Sequence, residues 1–227
     1  MLKPNNDIKD PLDFSKTWFP TIPSYDLPST ETLSYNKTDW KVNHRKAALL
    51  VHDMQNYWVE RFIEPKFIID NVRRIIEICR EHDIPIIYSV GERARNLAER
   101  GLSLDLWGPG IGSSADVKKE DPNVIEAFAP QDQDFVVHKT KYSAFFKTEL
   151  ENVMQKTGRN QLLISGIFAH HGCLVTALDA FMRNIETFMI ADATADYSKD
   201  EHLMALRYVA ETSGVISTIE TIQNDLK

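Results

Sequence analysis

The chain has 227 residues, 43% of them hydrophobic, enough for one large α/β domain with a substantial core. With 26 basic against 33 acidic side chains, a formal charge of -7 and no basic block, it lacks the footprint of a nucleic-acid binder or of a protein drawn to an anionic membrane, and a small-molecule partner is expected. Its two cysteines, Cys79 and Cys173, stand far apart without CxxC spacing, which argues against a disulfide framework or zinc site and fits a reducing cytoplasm; no signal segment or membrane-length apolar run occurs.

In chain order, residues 1–45 are rich in Pro, Asn, Ser and Thr, with Trp18, Phe19, Tyr25, Tyr35 and Trp40 among them, and read as an extended arm pinned by aromatics. From residue 46 to 227 a regular alternation follows. Apolar runs predict strands at 47–52, 84–90, 134–138, 161–167, 186–191 and 214–218. The first, AALLV, is unbroken and therefore reads as a strand buried on both faces. Helical spacing of Phe67, Ile68, Val72, Ile75, Ile76 and Cys79 predicts a helix over 65–82, with Cys79 in the core, and further helices are expected at 149–156, 173–183 and 200–211. Strands alternating with helices predict a three-layer α/β/α sandwich around a mostly parallel, doubly wound, six-stranded sheet.

Such a sheet gathers four segments at one edge: HDMQNYW, VGERARN, HKTKYS and FAHHGC. Ligands bind at that edge in open α/β folds, so Asp53 and Lys139, each just after an apolar run, become candidates for a functional ion pair. An ordinary salt bridge is the competing explanation. The fourth segment carries Cys173 at a strand-to-helix junction, where a thiol could serve as a nucleophile, or could pack inward while the glycine before it leaves room for substrate. His170 and His171 have no HxH or HExxH partner, so a metal site is not expected.

Over the span from about Ile22 to the C-terminus, the segments NKTDW, ALLVHDMQNYW, GLSLDLWGPG, VHKTKYSAFF, GRNQLLISGIFAHHGCLVTALDAFMRN, MIADATADYS and EHLMALRYVA together resemble the isochorismatases of the isochorismatase-like, cysteine hydrolase superfamily. The resemblance implies a cofactor-free hydrolase that cleaves the vinyl ether of isochorismate, or a close enolpyruvyl analogue, to pyruvate and 2,3-dihydro-2,3-dihydroxybenzoate, in siderophore, phenazine or similar secondary metabolism. Asp53 matches the family's proton donor and Lys139 its partner. Gly172 falls where the nicotinamidase-like branch carries its nucleophilic cysteine, and the metal-binding Asp-x-His segment of that branch is missing after strand 2. Room for substrate or water, or a backbone turn, would explain the glycine. Tyr57, Arg100, Trp107 and Tyr142 are implied to line the pocket, the arginine suiting a dicarboxylate.

Two positions depart from the family pattern: Gly91 replaces a substrate-contacting Gln, and Phe168 replaces a Tyr, which removes two polar contacts from the substrate-binding positions 91 and 168. The resemblance also implies a homodimer or higher homo-oligomer and a hydrolase domain over 46–227 without an appended carrier domain. Two other functions stay open from sequence: an amidase using Cys173, and a non-catalytic relative that binds a small acid.

Overall fold

Ala47–His52 forms β1, whose six residues are all buried, as its unbroken apolar run requires. Leu49 and Val51 join one apolar cluster with Ile68, Ile75 and Ile219, while Ala48 and Leu50 join another with Leu150, Ala177 and Leu206. The period-two alternation of a strand therefore puts a helical layer on each face. α2 (Lys66–Glu81) and α8 (Ile219–Asp225) cover the first face; α5 (Leu150–Lys156), α6 (Leu174–Met182) and α7 (Lys199–Thr212) cover the second. The computed structural model describes residues 21–29, 35–92, 94, 96–108, 110, 111 and 122–227.

The other strands are β2 (Ile86–Gly91), β3 (Phe135–Lys139), β4 (Gln161–Ile167), β5 (Glu186–Ala195) and β6 (Val215–Ser217). Among the described residues they form a six-stranded sheet in the order β3-β2-β1-β4-β5-β6, with every pairing parallel. This is the expected doubly wound, three-layer architecture. The order reverses between β1 and β4. Gly166 sits where their backbones crowd: its φ is +103°, and a Cβ there would lie 2.1 Å from the His52 carbonyl oxygen.

β5 runs four residues past its predicted end at 191, through the small-residue stretch DATA, with a register shift opposite Ile164 and Gly166. Apolar patterning stops at Ala191 because the strand bulges there, so the extension is invisible to a periodicity argument. The short helices α1 (Asn56–Val59), α3 (Leu97–Arg100) and α4 (Leu102–Trp107) are also absent from the sequence reading, since one or two turns carry too little period to register. No helix of the described residues is long and apolar enough to cross a membrane.

Of the predicted arm, Trp18 and Phe19 lie outside the described residues. Ile22 is fully buried and exchanges backbone hydrogen bonds with Arg61 and Ile63. The Tyr25 hydroxyl accepts from the Asp196 N–H at 2.7 Å and lies 3.1 Å from His202 Nδ1, which ties this aromatic to the end of β5. Trp40 packs against the core, whereas Tyr35 is exposed beneath the Arg207 guanidinium.

α7 begins at a reciprocal cap: Ser198 Oγ accepts from the Glu201 N–H at 3.2 Å and donates to the Glu201 carboxylate at 3.0 Å. Ser198→Ala should cost about 1 kcal/mol, read as a fall of about 2–4 °C in the thermal midpoint.

Candidate active site

Asp53 follows β1 at the point of strand-order reversal, the crevice in which open parallel sheets hold ligands. Its φ is +49°, a left-handed conformation that costs a non-glycine residue about 1–3 kcal/mol and recurs at functional sites. The Asp53 N–H donates to the Ser89 carbonyl at 3.0 Å. Lys139 Nζ stands 2.8 Å from Asp53 Oδ2, with the two side chains 7% and 13% exposed. Lys139 ends β3, which β2 separates from β1, so the pair reaches over an intervening strand end. The same ammonium donates to the Lys141 carbonyl at 3.2 Å. Asp53 Oδ1 is buried with no hydrogen-bond partner among the described residues. One carboxyl oxygen is thus anchored while the other is unpaired among the described residues.

His52, fully buried under the turn Ala169–Cys173, hydrogen-bonds the Ile167 carbonyl through Nδ1 at 2.9 Å and brings Nε2 to 3.3 Å from the Tyr142 carbonyl. It thereby joins the ends of β1 and β4 to the loop after β3. Burial pulls its pKa below the ordinary histidine value, with the Asp53 carboxyl acting the other way. A Cβ on Gly172 would fall 2.0 Å from His52 Cε1 and 2.5 Å from Nε2. Gly172 borders the cleft, but its φ is not left-handed, and the imidazole already fills the volume into which a side chain would project. This is a different cause for the glycine from either expected in the sequence. Cys173 is fully buried in the cluster with Leu50 and Ala177, does not border the cleft, and has its thiol pushed well above the ordinary value by burial. A thiol in that state is a core side chain and not a nucleophile.

The cleft in front of Asp53 has about 780 Å³ of atom-free space including its mouth. Of the predicted residues, Asp53, Gly91, Arg100, Trp107, Lys139, Tyr142, Phe168 and Gly172 border it. Arg100 Nε donates to the Gly108 carbonyl at 3.1 Å, and its guanidinium lies where a Cβ on Gly110 would come within 2.7 Å of Cζ. Lys141 fixes the same segment by donating to the Arg100 carbonyl at 3.1 Å and to Ser103 Oγ at 2.9 Å. Burial lowers the Arg100 pKa, an effect opposed by the nearby Tyr57 and Tyr142 phenols. Trp107 Nε1 donates to the Tyr142 hydroxyl, and the Tyr142 ring stacks on His171. Tyr57 does not border the cleft; it is buried beneath the Arg61 guanidinium, and its neighbour Trp58 takes the place on the wall. At Gly91 a Cβ would make ordinary van der Waals contact with Ile111 Cδ1 at 3.4 Å and Gln55 Oε1 at 3.5 Å.

Sequence reasoning missed the end of β5. Asp196, fully buried, accepts from the His170 N–H and from Nδ1, both at 2.6 Å, and from the Tyr197 N–H at 2.9 Å. The two histidine rings pack together at 3.8 Å between centroids, His171 facing the cleft. Burial, with His170 and Lys139 adding, holds His171 down to about 3. Tyr197 borders the cleft against Phe168, 4.4 Å between ring centroids. The available signal was the run MIADATADYS, whose polar tail could have marked a strand end.

The architecture matches that of a cysteine hydrolase from Pseudomonas syringae pv. phaseolicola, with a TM-score of 0.76 at 22% identity over 83% of this chain and 95% of that one. This likeness defines the fold class: a parallel six-stranded sheet between two helical layers. In sequence the chain is 41% identical to enterobactin synthase component B of Escherichia coli, across 89% of this chain and 71% of that protein. It is 35% identical to the phenazine biosynthesis protein PhzD of Pseudomonas fluorescens, across 91% of this chain and 99% of that one. The isochorismatase domain model matches residues 47–221, and the chain belongs to the isochorismatase family of hydrolases.

The contact between His52 and Gly172 predicts coupled stabilities. Gly172→Ala should lower the thermal midpoint by at least about 5 °C through overpacking, and adding His52→Ala should return part of that loss, so that the two changes are far from additive in a melting series. The folded-state pKa values of His171 and His202 are both about 3, lowered chiefly by burial. The unfolded chain therefore binds protons first as pH falls, and stability should decline progressively below about pH 6.5 in denaturant titrations.

Proposed function

We propose that the protein hydrolyses the vinyl ether of isochorismate, or of a close enolpyruvyl carboxylate, to pyruvate and 2,3-dihydro-2,3-dihydroxybenzoate. The observation that carries this reading is the Asp53 carboxyl, one oxygen bound to Lys139 and the other buried without a partner among the described residues. That is the disposition of an acid awaiting substrate. The cleft also presents no cysteine for an acyl intermediate, since Cys79 and Cys173 are both buried away from it.

An enol ether carbon is a weak base, so its protonation needs an acid held at short range in a site closed to bulk water. The step requires the Asp53 carboxyl to carry a proton when the substrate is in place. The Asp53 O–H bond breaks and its proton goes to the terminal methylene, which becomes a methyl group; positive charge develops on the adjacent ether carbon. Lys139 stabilises the carboxylate left behind. Water adds to the oxocarbenium carbon and returns a proton to Asp53, and the resulting hemiketal breaks its C–O bond to release pyruvate and the ring alcohol. Arg100 and the Tyr142 and Trp107 pair supply the cation and donors for the substrate's carboxylates. With glycine at position 91 and Ile111 beside it, the polar contact of the family pattern is absent from that wall.

Pyruvate release from isochorismate, followed with a coupled lactate dehydrogenase assay, tests the reading. Asp53→Asn should lower kcat by about 10²–10⁴-fold, whereas Cys173→Ala should stay within about threefold of the native rate, as expected of a core substitution that leaves the acid in place. Loss of activity in the cysteine variant, with ammonia released from an amide substrate by the native protein, would move the chemistry to the amidase class.

A further inference from the structure

Phe168 leaves the aromatic wall without the hydroxyl that the family pattern carries at that position. Directly against its ring, at 4.4 Å between centroids, lies Tyr197. The Tyr197 hydroxyl is buried and has no hydrogen-bond partner among the described residues, although the side chain borders the cleft that holds Asp53 and Lys139. A buried hydroxyl without a partner costs about 1–3 kcal/mol and calls for an explanation at a functional site. The rest of the residue is fixed: its N–H donates to Asp196 at 2.9 Å, and its ring meets His170 and His171 edge-on at 5.3 and 5.5 Å. Its phenol is close enough to those of Tyr142 and Tyr57 to feel them electrostatically, and those same phenols act on the Arg100 guanidinium.

We infer that Tyr197 is a substrate-binding residue whose hydroxyl donates a hydrogen bond to a carboxylate of the bound acid, restoring from the end of β5 the donor lost at Phe168. This rests on the reading of the cleft as a site for an enolpyruvyl carboxylate. Burial raises the phenol's pKa, which keeps the proton on oxygen and the group a donor throughout the working range. The contact is polar and to a charged group, so its loss acts mainly on binding.

The test compares the native protein with Tyr197→Phe, Phe168→Tyr and the double variant, using kcat and KM for isochorismate and, independently of turnover, calorimetric Kd for 2,3-dihydroxybenzoate. Tyr197→Phe should raise KM and Kd about tenfold or more, as expected for a lost hydrogen bond to a charged group, with a smaller effect on kcat. The double variant moves the hydroxyl back to the opposite ring and should recover most of that loss, which a purely structural tyrosine would not allow. A native protein that releases no pyruvate, yet binds the dihydroxybenzoate more weakly once Tyr197 is changed, sinks the vinyl ether chemistry and keeps the assignment of Tyr197. KM and Kd within twofold of native in Tyr197→Phe, or a double variant no better than the single one, overturn the assignment whatever the native activity. Absence of both turnover and binding in the native protein overturns it as well.

Discussion

A carboxylate and an ammonium held 2.8 Å apart, both nearly buried at the edge of a parallel sheet, are the constraint to which the rest of this molecule is fitted. Two desolvated charges are tolerable only when each is matched, and breaking such a pair strands the survivor. The fold meets this by ending β1 opposite Ser89 and β3 opposite Gly91, on either side of β2, and by turning Asp53 out of its strand in a left-handed conformation. Lys139 then has an oxygen in reach without any long loop to hold it there, and the strand-order reversal leaves open ground in front of the pair.

Directly behind that pair, His52 converts a packing problem into a chemical exclusion. Its ring touches the carbonyls at Ile167 and Tyr142 and abuts the Cα of Gly172, so three strand-end segments close around one imidazole. The position from which a side chain could attack a substrate carbonyl is filled from below. Cys173, one residue later on the turn, faces the helical layer and acquires the high thiol pKa of a core residue. A side chain at position 172 is therefore shut out by volume.

The outer part of the cleft follows a different rule. There, Arg100 is pinned by the carbonyl of Gly108 and the closeness of Gly110, Lys141 ties its segment to Ser103, and a run of aromatic rings from Trp107 through Tyr142 and His171 to Tyr197 and Phe168 forms the wall. Such a wall can exchange individual hydroxyls between neighbouring rings without disturbing the ion pair below it. Gly91 and Phe168 border the same cleft from elements other than those that carry Asp53 and Lys139.

The alternation of apolar runs and helical periods determined the layer architecture by itself, because burial on one or both faces writes its period directly into the sequence. It also placed Asp53, Lys139 and Gly172 at one edge, since a strand's last apolar residue marks where its loop begins. The tertiary structure decided what those residues meet. That His52 fills the space beside Gly172, that Tyr57 turns into the core while Trp58 faces the cleft, and that Asp196 and Tyr197 arrive at the end of a bulged β5 all depend on contacts between segments distant in the chain. Periodicity records which face of an element is buried; it carries no information on which side chain from another element occupies a given volume, and packing at close quarters is settled only when all the elements are in place.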